Sequence, residues 1–212
     1  MHPISRPSRT DIPHQPDMTP LTYFVRHGQT PWNAEQRLQG QADTDINALG
    51  REQADRNGRR LAELIADPEA FDFVASPMRR TRETMERARK AMGLDPSAYR
   101  TDSRLVEVNF GDWQGFTFPE LDERQPGAST ARLHDKWDFV PPGKDAESYE
   151  MLTARIRPWL AEVVQPTVCV THGGVIRAIF RLVEDLPKNR AAALEVPQDR
   201  VLKLEGGRLD WI

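Results

Sequence analysis

From residue 21 onward, short apolar segments alternate with longer segments whose apolar residues recur every three or four positions. The short segments 22–26, 71–76 and 167–171 read TYFVR, FDFVAS and TVCVT, and each is rich in β-branched or aromatic residues, which favours strands. The longer segments have the periodicity of amphipathic helices. This alternation predicts an α/β domain.

The helical segments begin and end at recognisable capping residues. Asn47 and Ser148 are suitable N-caps, and Gly93 suits the end of a helix. Pro158 is expected to kink or divide the helix that contains it. The predicted helices span about 48–66, 81–93, 148–164 and 172–186.

Three other segments complete the predicted architecture. Segment 99–108 favours a third strand because Val106 and Val108 alternate with polar residues. Segment 109–147 has no sustained periodicity, so we expect a long excursion over one end of the sheet with a short helix near 118–124. The final segment, 201–212, predicts a hairpin that turns through two glycines.

Composition excludes several classes of protein. The chain has 212 residues and a formal net charge of −3 with both signs mixed, which argues against a nucleic-acid-binding module. No segment approaches the roughly 18 consecutive apolar residues of a membrane span, and no signal peptide is apparent. The single cysteine, Cys169, fits a reducing compartment. We expect a cytoplasmic protein with a flexible leader over 1–19 and one domain over 20–212.

Two apolar segments end in the same way, with a histidine followed by glycine. His27 follows YFVR, and His172 follows VCVT. Ligands of open α/β sheets bind at the carboxyl ends of strands, so the two histidines are expected to converge there. Two unrelated turn histidines remain the alternative. Arg26 directly precedes His27, and a buried cation of this kind usually meets an anion.

Two further strand ends carry charged residues. SPMRRT places Arg79 and Arg80 after the second strand, where a guanidinium group suits phosphate oxygens, although a solvated basic helix face is the alternative. Glu107 lies between two valines at the end of the third predicted strand. It is a candidate general acid, or it neutralises a nearby arginine.

Two histidines, arginines and one carboxylic acid are sufficient for phosphoryl transfer. A neutral imidazole attacks phosphorus, arginines and a second, protonated histidine stabilise the phosphoryl oxygens, and the acid protonates the leaving oxygen. A metal site built from the same histidines and carboxylate is the competing hypothesis. Arg26 next to His27 disfavours it, because a guanidinium repels a divalent cation.

As a set, these motifs resemble the histidine phosphatase superfamily, the phosphoglycerate mutase-like proteins. The resemblance covers about residues 21–204 and implies a three-layer α/β/α sandwich with a mostly parallel central sheet. The matching motifs are RHGQTPWN (26–33), LQGQADTDINALGREQA (38–54), SPMRRTRET (76–84), EVNFGDWQG (107–115) and THGGVIR (171–177).

The resemblance implies a role for individual residues. The phosphorylated histidine falls on His27, the proton donor on Glu107 and the second histidine on His172. Arg79 is left as a surface or secondary contact. The phosphate-binding positions fall on Arg26, Arg80, Asn33, Thr30 and Gly173. No metal and no cofactor is implied.

The resemblance favours a phosphatase that hydrolyses a small phosphate monoester through a phosphohistidine. The segment after Glu107 is similar to the phosphatase branch and lacks the longer insertion of the cofactor-dependent phosphoglycerate mutases, which are the first alternative. An inactive phospho-ligand-binding regulator is the second alternative. The expected partner is a small phosphorylated metabolite, and a homodimer is left open. GKDAES at 143–148 departs from the family's Gly-Gly-Glu-Ser, which leaves the substrate open.

Overall fold

A six-stranded sheet forms the centre of the protein. The computed structural model describes residues 19–212, so the predicted leader lies outside the described residues except for Thr19. The first four strands run parallel, whereas the last two add antiparallel pairings at one edge, in the order β3-β2-β4-β1-β5-β6. The strands are β1 (Thr22–Arg26), β2 (Asp72–Ala75), β3 (Arg100–Thr101), β4 (Thr167–Thr171), β5 (Val201–Glu205) and β6 (Arg208–Trp211).

Helices cover both faces of the sheet. Side chains alternate along β1, so Phe24 packs in one apolar cluster while Tyr23 and Val25 pack in the other. α6 and α7 contribute to the first cluster, and α2 and α3 to the second, which gives the predicted three-layer sandwich. None of the described helices is long and apolar enough to cross a bilayer. The helices are α1 (Pro31–Ala34), α2 (Ala48–Leu64), α3 (Arg79–Ala91), α4 (Phe118–Arg124), α5 (Ala128–His134), α6 (Tyr149–Ala161), α7 (Gly173–Val183) and α8 (Lys188–Ala193).

Most of the predicted element boundaries are confirmed. Asn47 caps α2 by accepting a hydrogen bond from Gly50 N at 2.9 Å, and Ser148 caps α6. α6 is not divided, because it runs through Pro158 to Ala161. The C-terminal hairpin turns through two glycines with positive φ, as expected. The sequence did not predict α1, α5 or α8.

The strand predicted over 99–108 is confirmed only at Arg100–Thr101, and the rest of that range is not a strand. β3 has only two residues, because the Asp102 side chain caps a 3-10 turn over Ser103–Leu105. The Arg155 guanidinium of α6 then donates to Arg104 O at 2.5 Å and to Val106 O at 3.0 Å. A side chain therefore satisfies carbonyls that a neighbouring strand would otherwise bind.

Candidate active site

The two glycine-linked histidines lie together at the carboxyl end of the sheet. β1 and β4 are neighbours, with Arg26 opposite Thr171, so the residues that follow these strands are neighbours too. The His27 and His172 ring centroids are 5.2 Å apart. His27 N also donates to Thr171 O at 2.9 Å, which extends the strand pairing into the site. The sequence predicted that His27 and His172 converge at these strand ends, and the structure brings them together there.

His27 is held as one neutral tautomer. Its Nδ1 lies 2.8 Å from Gly28 O, and because a carbonyl only accepts, Nδ1 carries the proton and Nε2 keeps its lone pair. Burial, followed by the charges of Arg80 and Arg26, holds the pKa of His27 well below its ordinary value. The imidazole at this position therefore keeps an unprotonated Nε2 at neutral pH, which is what a nitrogen nucleophile requires.

Two arginines beside His27 are fixed by backbone carbonyls. Arg26 Nη1 donates to Val196 O at 2.7 Å, while Arg80 donates from Nη1 to Ala42 O at 2.8 Å and from Nη2 to Gly40 O at 2.7 Å. The Nε atom of each arginine is buried without a partner among residues 19–212. Burial lowers the pKa of both arginines to about 10, so both remain charged at neutral pH. The pair presents fixed positive charge and unpaired N–H donors, a combination that suits an anion.

Glu107 reaches the site from a loop rather than from a strand. Its Oε2 accepts a hydrogen bond from Gly174 N at 3.1 Å, and its Oε1 accepts one from Val108 N at 2.9 Å. A Cβ atom at Gly174 would lie 2.1 Å from Glu107 Oε1, so only glycine admits the carboxyl group at the first turn of α7. Arg155 holds the loop that carries it.

The surroundings of His172 favour a neutral imidazole over the protonated form expected from the sequence. Burial is the main cause, followed by Arg80, and together they hold the pKa of His172 well below its ordinary value. Its Nε2 lies 2.8 Å from Ser76 Oγ, and its buried Nδ1 has no partner among residues 19–212.

Within the same residues, no cluster of three or more histidine, cysteine or acidic side chains is arranged to hold a metal ion.

Most of the predicted residues line one cleft of about 220 Å³. Neither Thr30 nor His172 lines it. Instead, Thr30 Oγ1 caps α1 by accepting from Asn33 N at 3.1 Å, so Thr30 acts on the cleft through Asn33. Arg79 pairs with Asp45 at 2.8 Å on the surface, outside the cleft. The predicted residues that do line the cleft are Arg26, His27, Asn33, Arg80, Glu107 and Gly173.

Sequence reasoning missed several polar residues of the cleft. Arg177 lies four residues after Gly173, on the same face of α7, and this spacing was a signal that the sequence offered. The remaining residues had no comparable signal, because most of them come from the segment that lacks periodicity or from its borders. The missed residues are Arg37, Arg132, Lys136, Tyr149 and Arg177.

Comparisons with known proteins agree with this geometry. A sequence model described as the histidine phosphatase superfamily (branch 1) matches residues 22–211. This chain belongs to that superfamily. The resemblance inferred from the motifs is thereby confirmed.

Relatives of this histidine phosphatase include phosphatases and a mutase. It is 36% identical to a glucosyl-3-phosphoglycerate phosphatase of Mycobacterium tuberculosis over 177 residues, which cover 77% of this chain and 75% of the relative. It is 28% identical to a probable phosphoglycerate mutase of Salmonella paratyphi C, over 90% of this chain and 86% of the relative.

A solved structure of a mycobacterial glucosyl-3-phosphoglycerate phosphatase in complex with VO3 has the same fold. It superposes with a TM-score of 0.75 at 31% identity, covering 91% of this chain and 96% of the other. The predicted phosphomonoesterase of the histidine phosphatase superfamily is confirmed, and the phosphatase alternative has stronger support than the mutase alternative.

Proposed function

We propose that the protein hydrolyses a small phosphate monoester through a phosphohistidine on His27 Nε2. The observation that carries the proposal is the hydrogen bond between His27 Nδ1 and Gly28 O, which leaves Nε2 unprotonated beside two charged arginines. Arg26 and Arg80 each keep a buried Nε–H group without a partner among residues 19–212, and these groups suit phosphoryl oxygens.

The reaction proceeds in two balanced steps. In the first, His27 Nε2 attacks phosphorus, the ester P–O bond breaks, and Glu107 transfers its proton to the leaving alkoxide. In the second, Glu107 takes a proton from water as that oxygen attacks phosphorus, the N–P bond breaks, and inorganic phosphate leaves. The contact between His172 Nε2 and Ser76 Oγ leaves the buried His172 Nδ1 without a partner among residues 19–212, and a proton on Nδ1 would stabilise a phosphoryl oxygen.

The relatives suggest the first substrate to test. Glucosyl-3-phosphoglycerate is the substrate in the names of the mycobacterial phosphatases, and it belongs to the predicted class of small phosphorylated metabolites. The GKDAES segment at 143–148 departs from the family motif, so a panel of phosphorylated metabolites is needed beside it, with and without bisphosphoglycerate to separate hydrolysis from mutase activity.

The decisive experiment tests His27 as the nucleophile. His27→Ala should lose at least about a thousandfold in kcat on 4-nitrophenyl phosphate, because no other group takes over the covalent step. Wild-type protein quenched with acid-free denaturant during turnover should carry an acid-labile phosphoryl group, and the variant should carry none. His134→Ala is the matched control, since His134 is exposed and lies outside the cleft. Full activity in His27→Ala would disprove the mechanism.

A further inference from the structure

Gln198 contacts two residues of the cleft without lining the cleft itself. It lies in the segment between α8 and β5, and its side chain is half-buried. Gln198 Nε2 donates to His27 O at 3.0 Å and to Asn33 Oδ1 at 3.1 Å. Because Gln198 is not one of the residues that line the cleft, it acts on the site through these two residues rather than on a ligand.

The surrounding hydrogen bonds determine which end of the Gln198 amide faces these residues. Thr30 N is a backbone donor that lies 3.1 Å from Asn33 Oδ1, so this atom of Asn33 is the amide oxygen. His27 O is a carbonyl oxygen and also only accepts. Gln198 must therefore present its NH2 group, whose two N–H bonds each meet one acceptor.

The contact with Asn33 fixes the orientation of the Asn33 amide. Thr30 N and Thr30 Oγ1 donate to the same Oδ1 atom at 3.1 Å and 3.2 Å, so this oxygen faces three donors. An Asn33 amide turned the other way round would place N–H groups against these donors. The Nδ2 group is therefore the end of Asn33 that remains for a ligand in the cleft that Asn33 lines.

The contact with His27 O fixes the peptide group that joins His27 to Gly28. The nitrogen of this peptide group, Gly28 N, donates to Thr84 Oγ1 of α3 at 3.0 Å, so the group is held at both its oxygen and its nitrogen. The next carbonyl, Gly28 O, is the one that binds His27 Nδ1. A tilt of this peptide group would change that hydrogen bond and the direction of the imidazole.

The backbone that carries Gln198 is itself anchored. Asn57 of α2 is 1% exposed, and its Nδ2 donates to Gln198 O at 3.0 Å. Arg26 Nη1 donates to Val196 O at 2.7 Å in the same segment. Gln198 therefore extends to His27 and Asn33 from a backbone held by side chains of two other elements.

We propose that Gln198 is a positioning residue that aligns the His27 imidazole and the Asn33 amide on the same phosphoryl group. In-line attack on phosphorus depends on the direction of the nucleophile, and one side chain that holds both residues keeps them in a fixed relation. This inference rests on the proposed function and extends it from residues that line the cleft to one that does not.

The variant Gln198→Met tests the proposal, because methionine keeps an unbranched stem and loses both donors. We expect kcat/KM on 4-nitrophenyl phosphate to fall at least about tenfold, since two hydrogen bonds that align the reacting groups are lost. Gln165→Met, the same substitution at an exposed glutamine outside the cleft, should keep the wild-type value. A value for Gln198→Met within about threefold of the wild type would overturn the proposal.

Inhibition by inorganic phosphate separates positioning from general damage to the site. Arg26 and Arg80 supply the charges that bind phosphate, and backbone carbonyls hold both without the Gln198 side chain. The inhibition constant of phosphate should therefore change less than about threefold in Gln198→Met while kcat/KM falls. An equal loss in both quantities would overturn the proposal.

The double variant Asn33→Ala/Gln198→Met tests whether the effect passes through Asn33. The loss of kcat/KM caused by Gln198→Met should be at least about threefold smaller in the Asn33→Ala background than in the wild type, because one of its two acceptors is already gone. Equal losses in the two backgrounds would overturn the proposal. Failure of the proposed function would appear instead in the wild type, as missing phosphohistidine on His27.

Discussion

Backbone N–H groups orient the Glu107 carboxyl group from two sides. Gly174 N binds one oxygen at 3.1 Å and Val108 N binds the other at 2.9 Å. Neither contact is a salt bridge, since no cation lies within 4.0 Å of this carboxylate among residues 19–212. Burial lowers the pKa of both Arg26 and Arg80, but the charge of Glu107 still raises it, so this carboxylate also partly neutralises the arginines beside His27.

Replacing Glu107 with glutamine tests proton donation. Glu107→Gln cannot protonate the leaving oxygen, so turnover should fall by about a hundredfold or more for an alkyl phosphate. It should fall much less for 4-nitrophenyl phosphate, whose leaving group needs little protonation. The measurement is kcat/KM for wild type and variant over a series of leaving groups. An equal loss across that series would assign Glu107 a binding role instead.

The residues that the sequence identified share one property. His27, Arg80 and His172 each come shortly after a predicted strand, where topology alone brings side chains together. Arg132 and Lys136 belong to the segment without periodicity, so nothing local placed them at the cleft. The position of Arg132 depends on rings elsewhere in that segment, and the position of Lys136 depends on Ala192 O at the end of α8. A single sequence does not display these tertiary contacts.

The incorrect part of the strand prediction over 99–108 also results from a contact between residues distant in sequence. Val106 and Val108 alternate with polar residues as a strand would, but Arg155 of α6 donates to carbonyl oxygens within this segment, among them Val106 O and Glu107 O. Arg155 is itself fixed by Glu147 at 2.8 Å. Local propensity was overridden by a side chain about fifty positions away, and the same side chain holds the loop that presents Glu107.

The N-terminal turn of α2 supports the loop that carries His27. A Cβ atom at Gly28 would lie 2.2 Å from Gly50 O, and one at Gly50 would lie 2.2 Å from Gln29 O. The two backbones therefore touch, and Gln29 O also accepts a hydrogen bond from Asn47 N at 2.8 Å. A shift of α2 would therefore move the loop that carries His27.

Gly50→Ala should break this link. Alanine improves helix propensity by about 1 kcal/mol, but a methyl group 2.2 Å from a backbone oxygen forces the loop or the helix to move. We expect overpacking to dominate and the free energy of unfolding to fall by about 2 kcal/mol, with a lower kcat as His27 shifts. Urea denaturation and steady-state kinetics measure the two effects.

Glu52→Ala provides the comparison for that variant. Glu52 is exposed on the same helix, and its replacement by alanine adds no atoms against the loop. Its stability and kcat should stay close to those of the wild type. A stable and fully active Gly50→Ala protein would show that the loop after β1 adapts without moving the nucleophile.

The fold as a whole buries two neutral imidazoles beside cations, at the carboxyl ends of the neighbouring strands β1 and β4. His27 and His172 are at most 3% exposed, and burial holds the pKa of each well below its ordinary value. In the unfolded chain both histidines titrate near pH 6.5. The unfolded state therefore binds protons in mildly acidic solution that the folded state does not, and the active site is a source of acid sensitivity for the entire protein.

We expect the free energy of unfolding to be constant above about pH 7 and to fall between pH 6.5 and 5 by about 1.4 kcal/mol per pH unit for each buried histidine. Carboxyl groups with a lowered pKa, such as Asp102 beside Arg104, release their stabilisation below this window. Urea denaturation in phosphate-free buffers measures the slope, because bound phosphate would stabilise the folded state. His172→Gln should halve the slope of the unfolding free energy against pH between pH 6.5 and 5. A flat profile, or the same slope in the variant, would mean that the folded protein protonates these histidines without penalty.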